Sequence, residues 1–121
     1  MNTIKTIYIK NKDTFKQIIN SSKTIEIRKK SKFVETINVN DVIIFFNENK
    51  SVKVKITKIL ISHSLKSLGI IINELNNINS NISTIDELIN HYSKYYKNIN
   101  TSFYALYYDF LEKNIYIFIK S

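Results

Sequence analysis

Apolar positions recur along the chain at two spacings, and the changes from one to the other divide it into short strands and helices. Residues 3–10 alternate around Ile7, Tyr8 and Ile9 and predict a first strand. Asn11 can cap a helix over residues 11–20, whose apolar face is Phe15, Ile18 and Ile19 at i, i+3, i+4. Asn20, Ser21 and Ser22 end it, and residues 23–28 (Lys-Thr-Ile-Glu-Ile-Arg) alternate again as a second strand. Residues 29–32 read as a basic loop. The run Val42 to Phe46 follows turn-like residues 38–41 and predicts a strand buried on both faces. Residues 47–50 turn the chain; Val52, Val54 and Ile56 then alternate with Lys53, Lys55 and Thr57, predicting a hairpin partner with lysines in water.

In the second half, Leu65, Leu68, Ile71, Ile72 and Leu75 recur at helical spacing, a pattern weakened by Gly69. After a polar linker over residues 76–81, Ser83 with Asp86 reads as a capping pair for a second helix. Its stripe of Ile85, Leu88, Ile89, Tyr92 and Tyr96 is expected to contact the core. Residues 103–111 and 115–119 are β-rich and predict a closing hairpin around residues 112–114. The order β-α-β-β-β-α-α-β-β predicts an α+β fold, with about six strands able to curl into a small barrel. No internal repeat or proline-rich linker interrupts it, so residues 1–121 are expected to form one domain.

Composition narrows the chemistry. The 121 residues hold no cysteine, which excludes a disulfide scaffold, a thiolate zinc site and a cysteine nucleophile. One glycine, Gly69, excludes a glycine-rich phosphate loop. His63 and His91 lack a third ligand at metal spacing, so neither metal nor cofactor is expected. Glu87 and His91, four apart, read as a solvated helical pair. No signal-peptide pattern, membrane-length apolar run or lipidation motif occurs, and the expectation is a soluble intracellular protein, cytoplasmic or nuclear, without a membrane partner. The 24 isoleucines and 16 asparagines point to an A/T-rich genome, viral or cellular. The net charge of +8 is not spread evenly. Residues 1–60 carry 13 Lys/Arg against 5 Asp/Glu, and residues 61–121 carry 5 of each. Clustered cations of this kind favour a polyanionic partner.

Alternation puts Thr24, Glu26 and Arg28 on one face of the second strand, opposite Ile25 and Ile27. The segment Ser21-Ser22-Lys23-Thr24-Ile25-Glu26-Ile27-Arg28, followed by the turn Asn40-Asp41 into Val42-Ile43-Ile44-Phe45, resembles the ASCH (activating signal cointegrator-1 homology) domain of the PUA-like superfamily. That family's hallmark has the form Gly-x-Lys-x-x-Glu-x-Arg, with a Gly-Asp turn into an apolar strand. The likeness continues through residues 52–59, 62–68, the helix from Ser83 and the segment from Phe103. Ser21, Asn40 and a position near Ser102 stand where the family has glycine.

The resemblance implies a small PUA-like β-barrel with flanking helices and a cleft in which Lys23, Glu26 and Arg28 meet RNA or a nucleoside. Lys29, Lys30 and Lys32 would add phosphate contacts. Arg28 can bind phosphate or a carbonyl edge bidentately, Lys23 can act as a mobile cation, and Glu26 can accept from an amino group such as that of cytosine or pair internally with Arg28. Tyr8, Tyr104 and Tyr107 are candidates for stacking. Some small relatives resemble amidohydrolases that deacetylate N4-acetylcytidine. In them a hallmark lysine and threonine act with a downstream glutamate. Lys23 matches the lysine, Glu26 stands at the threonine position and the acid falls near Asn81, so a hydrolase would need Lys23, Thr24 and Glu26 in a rearranged site. Binding without turnover is the first expectation, the hydrolase is the second, and an adaptor binding protein through the Tyr-rich half is the third.

Overall fold

The alternating segments become one curled sheet. The computed structural model describes residues 4–111 and the backbone of residues 116–117. Its strands are β1 (Ile4–Tyr8), β2 (Ile25–Lys29), β3 (Val42–Asn47), β4 (Lys50–Ser62), β5 (Phe103–Phe110) and β6 (Tyr116–Ile117). They run in the order β1-β3-β4-β5-β2, with β6 paired to β4. The β1–β3 pair is parallel; β3–β4, β4–β5 and β2–β5 are antiparallel. Four helices, α1 (Lys12–Ile19), α2 (Lys32–Glu35), α3 (Leu65–Ile72) and α4 (Ile85–Tyr92), and a 3-10 turn over Leu75–Asn77 complete the described residues. The architecture is α+β, a curled half-barrel with flanking helices.

Two cores lie on opposite faces of this sheet. Along β5, Leu106 and Tyr108 face inward to join Ile43, Phe45, Val52 and Val54, a core closed by Phe15 and Ile18 of α1. The alternate residues Phe103 and Ala105 face outward and pack with Ile25, Ile27, Leu65, Leu68 and Leu88 beneath α3 and α4. A register shift between Ile56 and Lys58 bends β4, which lets one 13-residue strand serve both cores.

Several local expectations are corrected. β3 is not buried on both faces: Ile43 and Phe45 are, whereas Val42, Ile44 and Phe46 are half-covered because α3 and α4 protect only the other half of the outer face. β6 pairs with the start of β4, not as a hairpin partner of β5, and residues 112–115 and 118–119 lie outside the described set. The cap of α4 is Thr84 with Glu87, one residue later than the Ser83–Asp86 reading. The Thr84 hydroxyl accepts from the Glu87 amide, and the Glu87 carboxylate accepts from the Thr84 amide. Within residues 29–35 the chain forms the short helix α2, capped by Ser31.

Gly69 does not weaken α3; it permits its packing. A Cβ there would meet Leu88 Cδ2 at 2.6 Å and Ile85 Cδ1 at 2.9 Å, so the absent side chain sets the approach of α3 and α4. Gly69→Val is expected to destabilise the fold by about 2–3 kcal/mol in urea titration, through overpacking of an interior that has no slack. A loss below about 0.5 kcal/mol would mean that the helices separate without penalty.

Candidate functional site

The two edge strands β1 and β2 do not meet, and where the barrel stays open there is a cleft of about 540 Å³. One side comes from Tyr8, Lys10, Asn11 and Thr14 at the β1–α1 junction. The floor is Lys23, Glu26 and Arg28, beside Ile78 and Asn79. The far wall is His91, Tyr92, Tyr95 and Tyr96, from the end of α4 and the turn after it.

The hallmark residues form one buried ion cluster. Ser21, in left-handed conformation (φ 67°), reverses the chain after α1, and the Lys23 amide donates to the Gln17 carbonyl at 3.0 Å. This turn sends the Lys23 side chain inward, where it is 2% exposed. Its Nζ donates to the carbonyls of Ile25 (2.6 Å) and Ile78 (2.8 Å) and pairs with Glu26 Oε1 at 3.2 Å. Three acceptors occupy the three donors of the ammonium. Lys23 is therefore a strut between β2 and the loop after the 3-10 turn, not the mobile cation of the sequence reading. Arg28 Nε donates to Glu26 Oε2 at 2.7 Å. Both oxygens of Glu26 are thus engaged, which is the internal pairing of the two roles open to it.

Burial alone would raise the Glu26 carboxyl, but the Lys23 and Arg28 charges overcome it and hold the group below its ordinary value, so it is ionised at neutral pH. Burial lowers Lys23, with Glu26 opposing, and the net direction is down. For Arg28 the Glu26 charge outweighs burial, and its value is raised. Burial pushes the Tyr92 hydroxyl well above 10, with the Glu26 charge adding to it, so this phenol stays protonated. Burial lowers His91, helped by Lys94 and Lys23, and leaves its ring neutral at pH 7.

Arg28 projects its remaining guanidinium donors into the cleft. Among the described residues no acceptor engages its Nη groups, and the side chain is 30% exposed. The Asn79 and Asn11 side-chain oxygens accept from the Asn81 and Thr14 amides, which leaves their NH₂ groups as donors. With Lys10, Lys23 and Arg28 against Glu26, the lining carries a net charge of +2. The cleft is aromatic-walled, positive and rich in donors.

Other sequence-chosen residues lie elsewhere. Thr24 is not part of the lining; its amide donates to the Asn77 carbonyl and its own carbonyl accepts from Tyr108. Lys29, Lys30 and Lys32 are also outside the cleft, and Lys30 pairs with Glu35 at 3.3 Å. Asn79, buried, faces the cleft, while Asn81 is exposed outside it. Of the three stacking candidates only Tyr8 lines the cleft. Tyr107 carries Lys58 Nζ 4.7 Å above its ring, and Tyr104 packs on the inner core. The sequence reading missed the wall formed by His91, Tyr92, Tyr95 and Tyr96. A signal was present: the α4 stripe changes from Leu88 to Tyr92 and Tyr96, and a buried tyrosine needs a polar environment for its hydroxyl.

The backbone resembles solved structures of low sequence identity. Hypothetical protein PH0355 aligns with a TM-score of 0.74 at 20% identity, over 92% of this chain and 100% of that one. Protein PF0455 from Pyrococcus furiosus gives 0.65 at 21%, over 93% and 99%. A mutant form of ZmASCH from Zymomonas mobilis gives 0.59 at 11%, over 86% of this chain and 66% of that one. The chain has an ASCH-like fold. No family model and no curated protein matches its sequence.

The ASCH-like frame gives meaning to two of the replaced glycines. Ser21 (φ 67°) and Asn40 (φ 77°) both adopt the left-handed backbone that glycine takes without strain, whereas Ser102 is not among the positive-φ residues. Asparagine tolerates this region; serine is strained there by about 1–2 kcal/mol. Ser21→Gly is expected to raise stability by about 0.5–1 kcal/mol in urea titration, the relief of strain being offset by the added freedom of glycine in the unfolded chain. A destabilised variant would show that the Ser22 and Lys23 contacts, not φ, govern this turn.

Proposed function

We propose that this protein is a binding module for a nucleoside unit, taken as a free or modified nucleoside or as one unstacked base of single-stranded RNA, and that it does not turn its ligand over. The observation that carries this reading is the cleft itself: Arg28, braced by Glu26, faces an aromatic wall across a space of about 540 Å³. That volume lies within the range of about 300–1,000 Å³ usual for small-ligand sites. Aromatic rings stack on a base, and Arg28 donates to a base carbonyl or a phosphate oxygen. Because both Glu26 oxygens are engaged, recognition falls to the donors Arg28 and Asn79 and not to an acceptor for a cytosine amino group.

The hydrolytic reading gains no support from Thr24, whose hydroxyl is not part of the cleft lining. Calorimetric titration with cytidine, uridine, N4-acetylcytidine, their 5′-monophosphates and a short single-stranded RNA tests the proposal. Saturable binding of at least one is expected, with N4-acetylcytidine unchanged by chromatography after prolonged incubation. Absence of binding across the panel rejects the module, and conversion of N4-acetylcytidine replaces it with an enzyme.

A further inference from the structure

The N-terminal excess of positive charge is not used up by the cleft, and the sheet shows where part of it goes. Helices α3 and α4 cover the outer face over β2, β5 and the second half of β4. Over β1, β3 and the first half of β4 that face is not covered by them. The pairing register sets Tyr8 beside Phe46, Ile44 beside Lys53, and Val42 beside Lys55 on this surface. The Tyr8 and Phe46 rings are 5.2 Å apart, and Tyr8 is 49% exposed. Asp109 stands opposite Lys55 across the β4–β5 pair. From Val42 to Phe46 the surface runs about 13 Å along the strand.

We infer that this half-bare face is a track for single-stranded RNA that continues from the cleft. Tyr8 belongs to both: it lines the cleft and pairs with Phe46 on the face. A strand leaving the cleft would stack a base on the Tyr8–Phe46 pair and lay its phosphates along Lys53 and Lys55. An exposed ring, Tyr8, backed by the half-buried Phe46 and flanked by two lysines on a sheet face supplies the components that sequence-tolerant single-strand binding requires. Among the described residues Lys53 and Lys55 outnumber Asp109 on these rows, and this positive balance favours a polyanion over an apolar protein surface. The inference rests on the cleft reading only at the Tyr8 junction, since Phe46, Lys53 and Lys55 are not among the cleft-lining residues.

The test compares uridine 5′-monophosphate with a fluorescein-labelled, mixed-sequence RNA decamer on the full chain. The decamer is expected to bind at least tenfold more tightly than the mononucleotide. In the double variant Lys53→Gln, Lys55→Gln, the slope of log affinity against log salt should become shallower by about 1.4, at about 0.7 per phosphate contact, while mononucleotide affinity stays within twofold. Phe46→Leu should weaken decamer binding severalfold and leave the mononucleotide unaffected, with circular dichroism verifying the fold. Equal affinity for decamer and mononucleotide, or an unchanged salt slope, overturns the track while leaving the cleft reading intact. If neither ligand binds, both readings fail. A dimer by light scattering that Phe46→Leu dissociates also overturns the track, because the occupant is then a second copy of this chain.

Discussion

Glu26→Gln is expected to lower the stability of this fold by about 3 kcal/mol at neutral pH. The carboxylate sits between two cations, Lys23 at 3.2 Å and Arg28 at 2.7 Å, and Lys23 is fully enclosed. Removing one partner of a buried pair leaves a charge with no counter-ion, which destabilises by about 3–5 kcal/mol. The low end applies because the Ile25 and Ile78 carbonyls still hold the ammonium. The pH dependence identifies the cause. In the native protein Glu26 has a folded value below its ordinary one, so its contribution is complete above the ordinary carboxylate range and is lost as pH falls through the folded value. The variant lacks that acid limb. Lys23 is lowered on folding, so in the window below its ordinary value the unfolded chain binds more protons and stability rises with pH. Without Glu26 to oppose burial this window extends further down, and the variant should recover stability toward alkaline pH more steeply than the native chain. Urea titrations between acid and alkaline pH measure both limbs. A variant within 1 kcal/mol of the native protein at pH 7 would sink this account of the cluster.

Arg28→Ala is expected to reduce affinity for the cleft ligand by about 100-fold while changing stability by no more than about 1 kcal/mol. A hydrogen bond to a charged group contributes about 1.5–3 kcal/mol, and Arg28 presents two Nη groups to the cleft. Its loss leaves Glu26 with Lys23 as counter-ion, and Arg28 is partly in water, so the fold tolerates the change better than it tolerates loss of Glu26. Arg28→Lys should fall between, keeping the charge without the planar fork that Glu26 orients through Nε. Titration of the best ligand from the panel, alongside thermal unfolding, separates binding from folding. Unchanged affinity for Arg28→Ala would remove the residue from the site.

The hallmark segment shows how far sequence reaches and where it stops. Alternation correctly set Glu26 and Arg28 apart from Ile25 and Ile27, because a strand has a period of two whatever surrounds it. It could not say which polar residue would be buried, because that depends on the turn at Ser21 and on the carbonyl of Ile78, 55 residues away. Lys23 and Lys30 have the same side chain, yet one is enclosed by three acceptors and the other pairs with Glu35 at the surface. The α4 stripe packs on the outer core as its periodicity predicts, at Leu88, Tyr92 and Tyr96, but only packing decided that Tyr92 and Tyr96 also reach past that core to wall the cleft.

The short helix α2 and the strained turn at Ser21 escaped local rules, but such rules determined the other elements from β1 to β5, the β3–β4 hairpin, the Asn11 cap of α1 and the turn at Asn40. Each follows from periodicity, capping or backbone sterics within a few residues. Tertiary structure alone decided that β1 and β2 stay apart, that the opening between them is walled by tyrosines from the end of α4 and the turn after it, and that half of the outer sheet face is not covered by α3 and α4. These depend on which distant segments pack together, and one sequence carries no local mark of its long-range partners.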